Sequence, residues 1–224
     1  MSNTVVVAGG TGALGVAVTA EFLRAGWRVV VPGRTEKSLA RLGVDPALNP
    51  IIADPFDPAG AADVVALATS DETAPLTALV NLVGGFASGA RVHETPIEDF
   101  EELLRINLRP TYLITQAVLP HLLAAGGGAI VCTSAGAARR PFSGAAGYIT
   151  AKAGVLAFAE ALHAEYARDG IRVNTILPTT IDTPANRAAS PKADTSKWTP
   201  PVRIATVVRT LVEVDGFVGA QLAV

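Results

Sequence analysis

Val5-Val6-Val7-Ala8-Gly9-Gly10-Thr11-Gly12-Ala13-Leu14-Gly15 lies near the start of the 224-residue chain. Its first four residues are apolar, three of them β-branched, and read as a buried strand. Gly10, Gly12 and Gly15 then fit the spacing G-x-G-x-x-G. From Ala13 the pattern turns helical, with Val16, Phe22 and Leu23 able to share a face and Gly26 placed to end the helix. Such a turn also occurs with no ligand at all. A strand before it and a helix after it favour the alternative, in which backbone amides at the helix start approach the pyrophosphate of a dinucleotide. Gly9, Thr11, Gly12, Ala13, Leu14 and Gly15 are the candidate contacts.

Outward from that unit, short β-branched runs alternate with alanine- and leucine-rich segments. Strands are predicted at 5–8, 27–31, 50–53, 76–83, 128–133, 171–177 and 217–223. Helices are predicted at 13–25, 35–41, 58–69, 96–125 and 147–168. Thr35 can cap its helix through its hydroxyl. Pro96 suits the first helical position, and Pro110 predicts a break. The run Leu76-Thr77-Ala78-Leu79-Val80-Asn81-Leu82-Val83 is apolar on both faces, as in parallel strands covered by helices on both sides. The order predicts an α/β fold: a Rossmann-type, doubly wound, seven-stranded parallel sheet in a single domain over residues 1–224. Residues 178–201 read as an irregular stretch rich in Pro, Ser and Thr after a strand. Ligands bind at the carboxyl ends of strands in such sheets, so this stretch is the expected substrate loop.

Composition narrows the functional classes. Half the residues are hydrophobic and 17% are charged, which suits a large core and argues against disorder. A formal net charge of −2, with Arg139-Arg140 the one adjacent basic pair, gives no reason to expect a nucleic-acid partner. The single cysteine, Cys132, sits in an apolar run and rules out an internal disulfide or a cysteine metal site. His93, His121 and His163 have no ligand spacing, so no metal is expected. With no signal-peptide pattern and no apolar run of membrane length, a cytoplasmic protein with no membrane partner is expected.

Two further segments carry chemistry. The second strand ends Val31-Pro32-Gly33-Arg34-Thr35, without an acid to accept from a ribose 2′-hydroxyl. Arg34 can instead pair with a 2′-phosphate, with Thr35 donating to it, so NADP(H) is expected over NAD(H). The bland alternative is a solvated arginine. Asp54, at the end of the third strand, can accept from an adenine amino group or simply cap a turn. Tyr148-Ile149-Thr150-Ala151-Lys152 puts a phenol and an ammonium on one helix face. A phenol titrates near pH ~10. A neighbouring cation lowers that value and fits the tyrosine for acid–base work beside a hydride transfer.

With these residues in view, the whole chain from about residue 4 resembles the short-chain dehydrogenase/reductase family. The glycine turn, Asn81-Leu82-Val83-Gly84, Ile106-Asn107-Leu108, Tyr148 with Lys152, and Ile171-Arg172-Val173-Asn174 followed by Pro178 and Thr183 fall in family order. The resemblance implies that Asn107 interrupts a helix and anchors a water in a proton relay to Lys152. It also implies that Lys152 bonds the nicotinamide ribose, that Val83, Gly84 and Gly85 border it, and that Pro178, Ile181 and Thr183 lie by the carboxamide. This chain departs from the family pattern at Ala13, where a glycine is usual, and at Thr179 after Pro178. The family's catalytic serine falls one position nearer the tyrosine than Ser134, where Ala135 stands. Ser134 completes the site, or no serine does.

A narrower similarity is to dihydropteridine reductases, carried by residues 9–15, 133–137, 177–187 and 196–200. That subgroup also has alanine where the serine is expected and reduces an imine-like ring, but it carries an acid where this chain has Gly33-Arg34. The resemblance therefore implies an oxidoreductase acting on a small carbonyl or imine substrate, with quinonoid dihydropterin as one candidate. The alternative is a non-catalytic dinucleotide-binding regulator on the same fold. The extended sugar-nucleotide type, which adds a substrate domain, is not expected for a chain of 224 residues. Trp198 and Phe86 can stack on a planar substrate, or pin the loop and cap the sheet. A homodimer or homotetramer is expected, with the apolar helix after Tyr148 offering an outer face.

Overall fold

A computed structural model of the protein describes residues 3–224. Its centre is a parallel sheet of seven strands in the order β3-β2-β1-β4-β5-β6-β7. These are β1 (Thr4–Ala8), β2 (Arg28–Gly33), β3 (Leu48–Ile52), β4 (Leu76–Asn81), β5 (Gly128–Thr133), β6 (Ile171–Leu177) and β7 (Gln221–Ala223). Alternation along the strands divides the core into two layers. Val5, Val7, Val29, Val31, Val80 and Val131 face α1 (Ala13–Arg24) and α7 (Pro201–Glu213), through Val18, Phe22, Ile204 and Val208. Val6, Ala8, Val30, Leu79, Ile130 and Cys132 face the other way, onto α3 (Pro58–Ala68), α4 (Ile97–Ala124) and α5 (Ala146–Tyr166). Two shorter helices, α2 (Glu36–Leu39) and α6 (Pro184–Ala189), complete the set. The doubly wound single-domain sheet read from the sequence is the one found.

Several details differ from the sequence reading, among them the seventh strand, expected over 217–223 and found at Gln221–Ala223. Pro96 is the residue before α4, not its first turn, and α4 runs unbroken for 28 residues through Pro110 and Pro120. Proline removes one backbone donor. Side chains beside Pro110 add bonds to the same stretch: Asn107 Nδ2 donates to the Leu103 carbonyl at 2.9 Å and Thr111 Oγ1 to the Asn107 carbonyl at 2.8 Å. The fourth strand stops at Asn81, because Asn81 Oδ1 turns back to accept from the Val83 N–H at 3.2 Å. Residues 178–201 are largely structured. They contain α6, a bridge between Ile181 and Thr199, and a bidentate Arg187–Asp182 pair at 2.5 and 2.8 Å. Finally, α7 has no counterpart in the sequence reading, although its Ile204, Ala205, Val208, Leu211 and Val212 are buried.

The chain winds outward from β1 through β2 to β3, then returns to place β4 beside β1. That reversal opens a crevice above the carboxyl ends of β1 and β4, which is where such folds bind ligands. Among the described residues no helix is long and apolar enough to cross a membrane.

Candidate active site

The crevice is a cleft of about 1090 Å³, open to solvent. One wall is the glycine turn. Gly9 adopts φ +82°, and a Cβ there would lie 2.9 Å from the backbone of Leu82 and Val83, so the loops after β1 and β4 meet at a glycine. A Cβ on Gly15 would lie 2.2 Å from the Gly9 carbonyl oxygen, which lets α1 start directly against the turn. Gly12 precedes α1 and offers no side-chain cap, and no acid stands in the first turn. First-turn amides have no acceptor inside a helix. Those of Ala13, Leu14 and Gly15 therefore face the cleft as free donors. They suit a pyrophosphate, as the helix dipole does.

The middle of the cleft holds Tyr148 and Lys152, one turn apart on α5. Lys152 is only 5% exposed, and its Nζ donates to the Thr133 carbonyl at 3.1 Å. Burial pushes its pKa down to about 8. Cys132 lies in the same apolar layer, and burial pushes its thiol up to about 12. It is neutral at physiological pH and lends the ammonium no charge. Burial also raises Tyr148, the opposite of the lowering expected from a nearby lysine. The half-buried phenol is desolvated, and this outweighs the ammonium one turn away. Phe86 sets its ring edge on Tyr148, centroids 4.9 Å apart at 86°, rather than capping the sheet.

Asn107 is fully buried behind this pair. Its Oδ1 accepts from the Gly85 N–H at 3.2 Å, and its Nδ2 donates to the Gly85 carbonyl at 3.1 Å. It does not interrupt α4; it pins the loop after β4. A Cβ on Gly84 would lie 2.5 Å from Asn107 Oδ1 and 2.8 Å from Lys152 Nζ, so both polar atoms converge on one point that only a glycine leaves free.

Of the residues singled out from the sequence, Gly9, Gly12, Ala13, Leu14, Gly15, Gly84, Gly85, Ser134, Tyr148, Lys152, Pro178, Ile181 and Thr183 line the cleft. Ser134 is 2% exposed, and its hydroxyl donates to the Lys152 carbonyl at 2.7 Å, so it ties β5 to α5. Thr183 caps α6 by accepting from the Asn186 N–H at 3.1 Å. Thr11, Val83 and Asn107 are not among the lining residues. Asp54 is exposed and outside the cleft, its carboxylate accepting from the Phe56 N–H at 3.0 Å. Arg34 is exposed with no hydrogen-bond or ionic partner among the described residues, and Thr35 caps α2 by accepting from the Ser38 N–H. Sequence reasoning passed over Arg139, Arg140, Phe142 and Gln221, which also line the cleft. The Arg139-Arg140 pair was visible, but only the fold carries it to the site. No cluster of His, Cys, Asp or Glu among the described residues could hold a metal ion.

An anion cradle and a phenol–ammonium pair sharing one cleft at a switch point are what a dinucleotide-dependent oxidoreductase requires. Comparison with known proteins agrees. A family model described as short chain dehydrogenase matches residues 3–194. The chain is 32% identical over 191 residues to a 2-(R)-hydroxypropyl-CoM dehydrogenase of Xanthobacter autotrophicus, covering 82% of this chain and 76% of that protein. It is 32% identical over 198 residues to a D-threitol dehydrogenase of Mycolicibacterium smegmatis, covering 86% and 76%. A solved structure described as ElxO with NADP bound superposes with a TM-score of 0.91 at 22% identity, over 100% of this chain and 97% of that one, which shows the shared fold. The chain belongs to the short chain dehydrogenase family and is an NAD(P)-dependent oxidoreductase.

Proposed function

We propose that this protein uses NADP(H) to move hydride to or from a small carbonyl or imine carbon, with Tyr148 as the acid–base group. The observation that carries this reading is that Tyr148, Lys152 and the free α1 amides open on the same cleft. Bound nicotinamide would supply or take the hydride. The protein's own part is binding, orientation and proton movement. The amides of Ala13, Leu14 and Gly15 bind the pyrophosphate. Asn107 holds Gly84-Gly85 in place through the Gly85 peptide, and Lys152 keeps a positive charge at the floor of the site. Burial keeps the Tyr148 phenol protonated at neutral pH, loaded to donate to a substrate oxygen or nitrogen. Residues 178–201 close the substrate end through Ile181, Thr183 and Trp198.

Preference for NADP(H) rests on Arg34, the unpartnered cation after β2, with the Thr35 hydroxyl proton free to donate beside it. The test measures binding of NADPH and NADH, then NADPH oxidation across simple ketones and quinonoid dihydropterin. Tyr148→Phe should retain NADPH binding and lose turnover by about 100-fold or more. Arg34→Glu should abolish the preference for NADPH. Full turnover in Tyr148→Phe would remove the phenol from the chemistry, and an unchanged preference in Arg34→Glu would remove Arg34 from cofactor choice.

A further inference from the structure

The charge in the cleft is one-sided. Arg139, Arg140 and Lys152 line it, and no aspartate or glutamate does, although the chain as a whole carries a net charge of −2. Lys152 belongs to the acid–base pair. Arg139 is tied down: it donates to Gln221 Oε1 and pairs with Glu160 at 3.8 Å, while Gln221 Nε2 also donates to Glu160 at 2.6 Å. Arg140 is different. Its backbone N–H donates to the Gly136 carbonyl at 2.9 Å, but its exposed guanidinium has no hydrogen-bond or ionic partner among the described residues.

The place of Arg140 separates it from the dinucleotide. It follows β5, and its neighbour Arg139 reaches β7. The two anion sites assigned to the dinucleotide follow β1 and β2. Two strand steps separate β1 from β5, and three separate β2 from β5, or about 10 and 14 Å at the usual strand spacing. The phosphates held at the α1 amides and at Arg34 therefore leave Arg140 unused. Around it the cleft is aromatic: Phe86 is 61% exposed, Phe142 is 49% exposed, and Trp198 stands across on the 178–201 segment. Large apolar side chains left open inside a cleft mark a surface that a ligand covers.

We propose that the substrate carries an oxyanion of the carboxylate or sulfonate kind on a flat apolar body. The Arg140 guanidinium binds the oxyanion through paired N–H donors. Phe86, Phe142 and Trp198 enclose the body, and this anchoring brings the reducible carbon beside Tyr148. The proposal rests on the oxidoreductase reading above and narrows it to one substrate class.

The test uses NADPH-saturated protein and three probes of one shape: para-acetylbenzoate, para-acetylbenzenesulfonate and the neutral para-acetylbenzamide. Calorimetry gives affinities, and NADPH absorbance gives kcat and KM where turnover occurs. At least one anion should bind about tenfold or more tighter than the amide. The advantage should shrink as salt is raised. Arg140→Gln should bring the anion-to-amide ratio close to one, and Arg140→Lys should restore part of it. Arg168→Gln makes the same charge change at an exposed site before β6, at the opposite end of the sheet, and should leave the ratio intact. Equal affinities, no binding of either anion, or a ratio that survives Arg140→Gln overturns the proposal. Failure of NADPH itself to bind would instead strike the oxidoreductase reading beneath it.

Discussion

Replacing Lys152 with methionine exchanges a buried ammonium for an apolar chain of similar length. In the folded protein burial lowers the lysine from its ordinary 10.5 to about 8. The unfolded chain therefore holds the proton more tightly than the folded one. The folded state carries the full penalty below about pH 8, and the penalty fades as pH rises towards 10.5. A shift of that size is worth about 3 kcal/mol at pH 7 and under about 1 kcal/mol at pH 10. Lys152 is 5% exposed, so solvent screening takes little from this figure. Methionine forfeits the bond to the Thr133 carbonyl, which costs about 1 kcal/mol. Lys152→Met should thus be about 2 kcal/mol more stable than the parent at pH 7, and no more stable at pH 10. In a domain of this size that corresponds to a Tm higher by about 4–8 °C at pH 7. The assay is urea unfolding of dinucleotide-free protein followed by far-ultraviolet circular dichroism at both pH values. A variant less stable than the parent at pH 7, or a difference that ignores pH, would refute the claim that the fold bears the strain of a desolvated lysine for the sake of its site.

Two other substitutions probe the walls of the cleft. Gly15→Ala forces a Cβ to 2.2 Å from the Gly9 carbonyl oxygen and 2.6 Å from the Gly10 backbone. It should cost about 3 kcal/mol and abolish NADPH binding, whereas Gly12→Ala, whose Cβ meets that oxygen at 3.4 Å, should lose about 1 kcal/mol or less; equal unfolding midpoints would contradict this turn geometry. Ser134→Ala removes the 2.7 Å bond to the Lys152 carbonyl and should cost about 1 kcal/mol with kcat changed less than about tenfold. A drop of about 100-fold at unchanged stability would put the hydroxyl on the substrate instead.

The fold was legible wherever one residue type forces one geometry. Strands buried on both faces announce a parallel sheet, and six of the seven strands fell close to their predicted places, while the seventh, expected over 217–223, covers only Gln221–Ala223. What escaped was α7, whose buried stripe Ile204, Val208, Leu211 and Val212 is interrupted by Arg203, Thr206, Arg209 and Thr210 and opens on Pro200-Pro201. Read along the chain, those residues resemble loop punctuation. Packed against α1, they are the second half of a core layer. The predicted break at Pro110 failed for a related reason. A proline removes one donor, but the side chains of Asn107 and Thr111 add bonds to α4 around the gap, and a lost donor is legible in sequence while the supports beside it are not.

In the site, the same distinction separates what a residue is from which way its polar atom points. Tyr148 and Lys152 were found because four residues along a helix always share a face. Ser134 was ambiguous because adjacent strand residues face opposite sides, and only the packing of β5 against α5 shows that its hydroxyl is spent on the Lys152 carbonyl. Asp54 is spent in the same way on the Phe56 amide. Partners decide function in the opposite sense for the arginines. Arg34 and Arg140 have side chains with nothing to hold, after the second and fifth strands of a sheet whose ligand edge runs between them. A cleft lined by Arg139, Arg140 and Lys152 with no carboxylate, and a further unpartnered arginine after β2 outside that lining, selects molecules that are anionic at their extremities. On this argument cofactor choice and substrate choice are one electrostatic pattern. Raising the salt should then weaken NADPH binding and the anion-to-amide preference together, while leaving affinity for the neutral amide nearly unchanged.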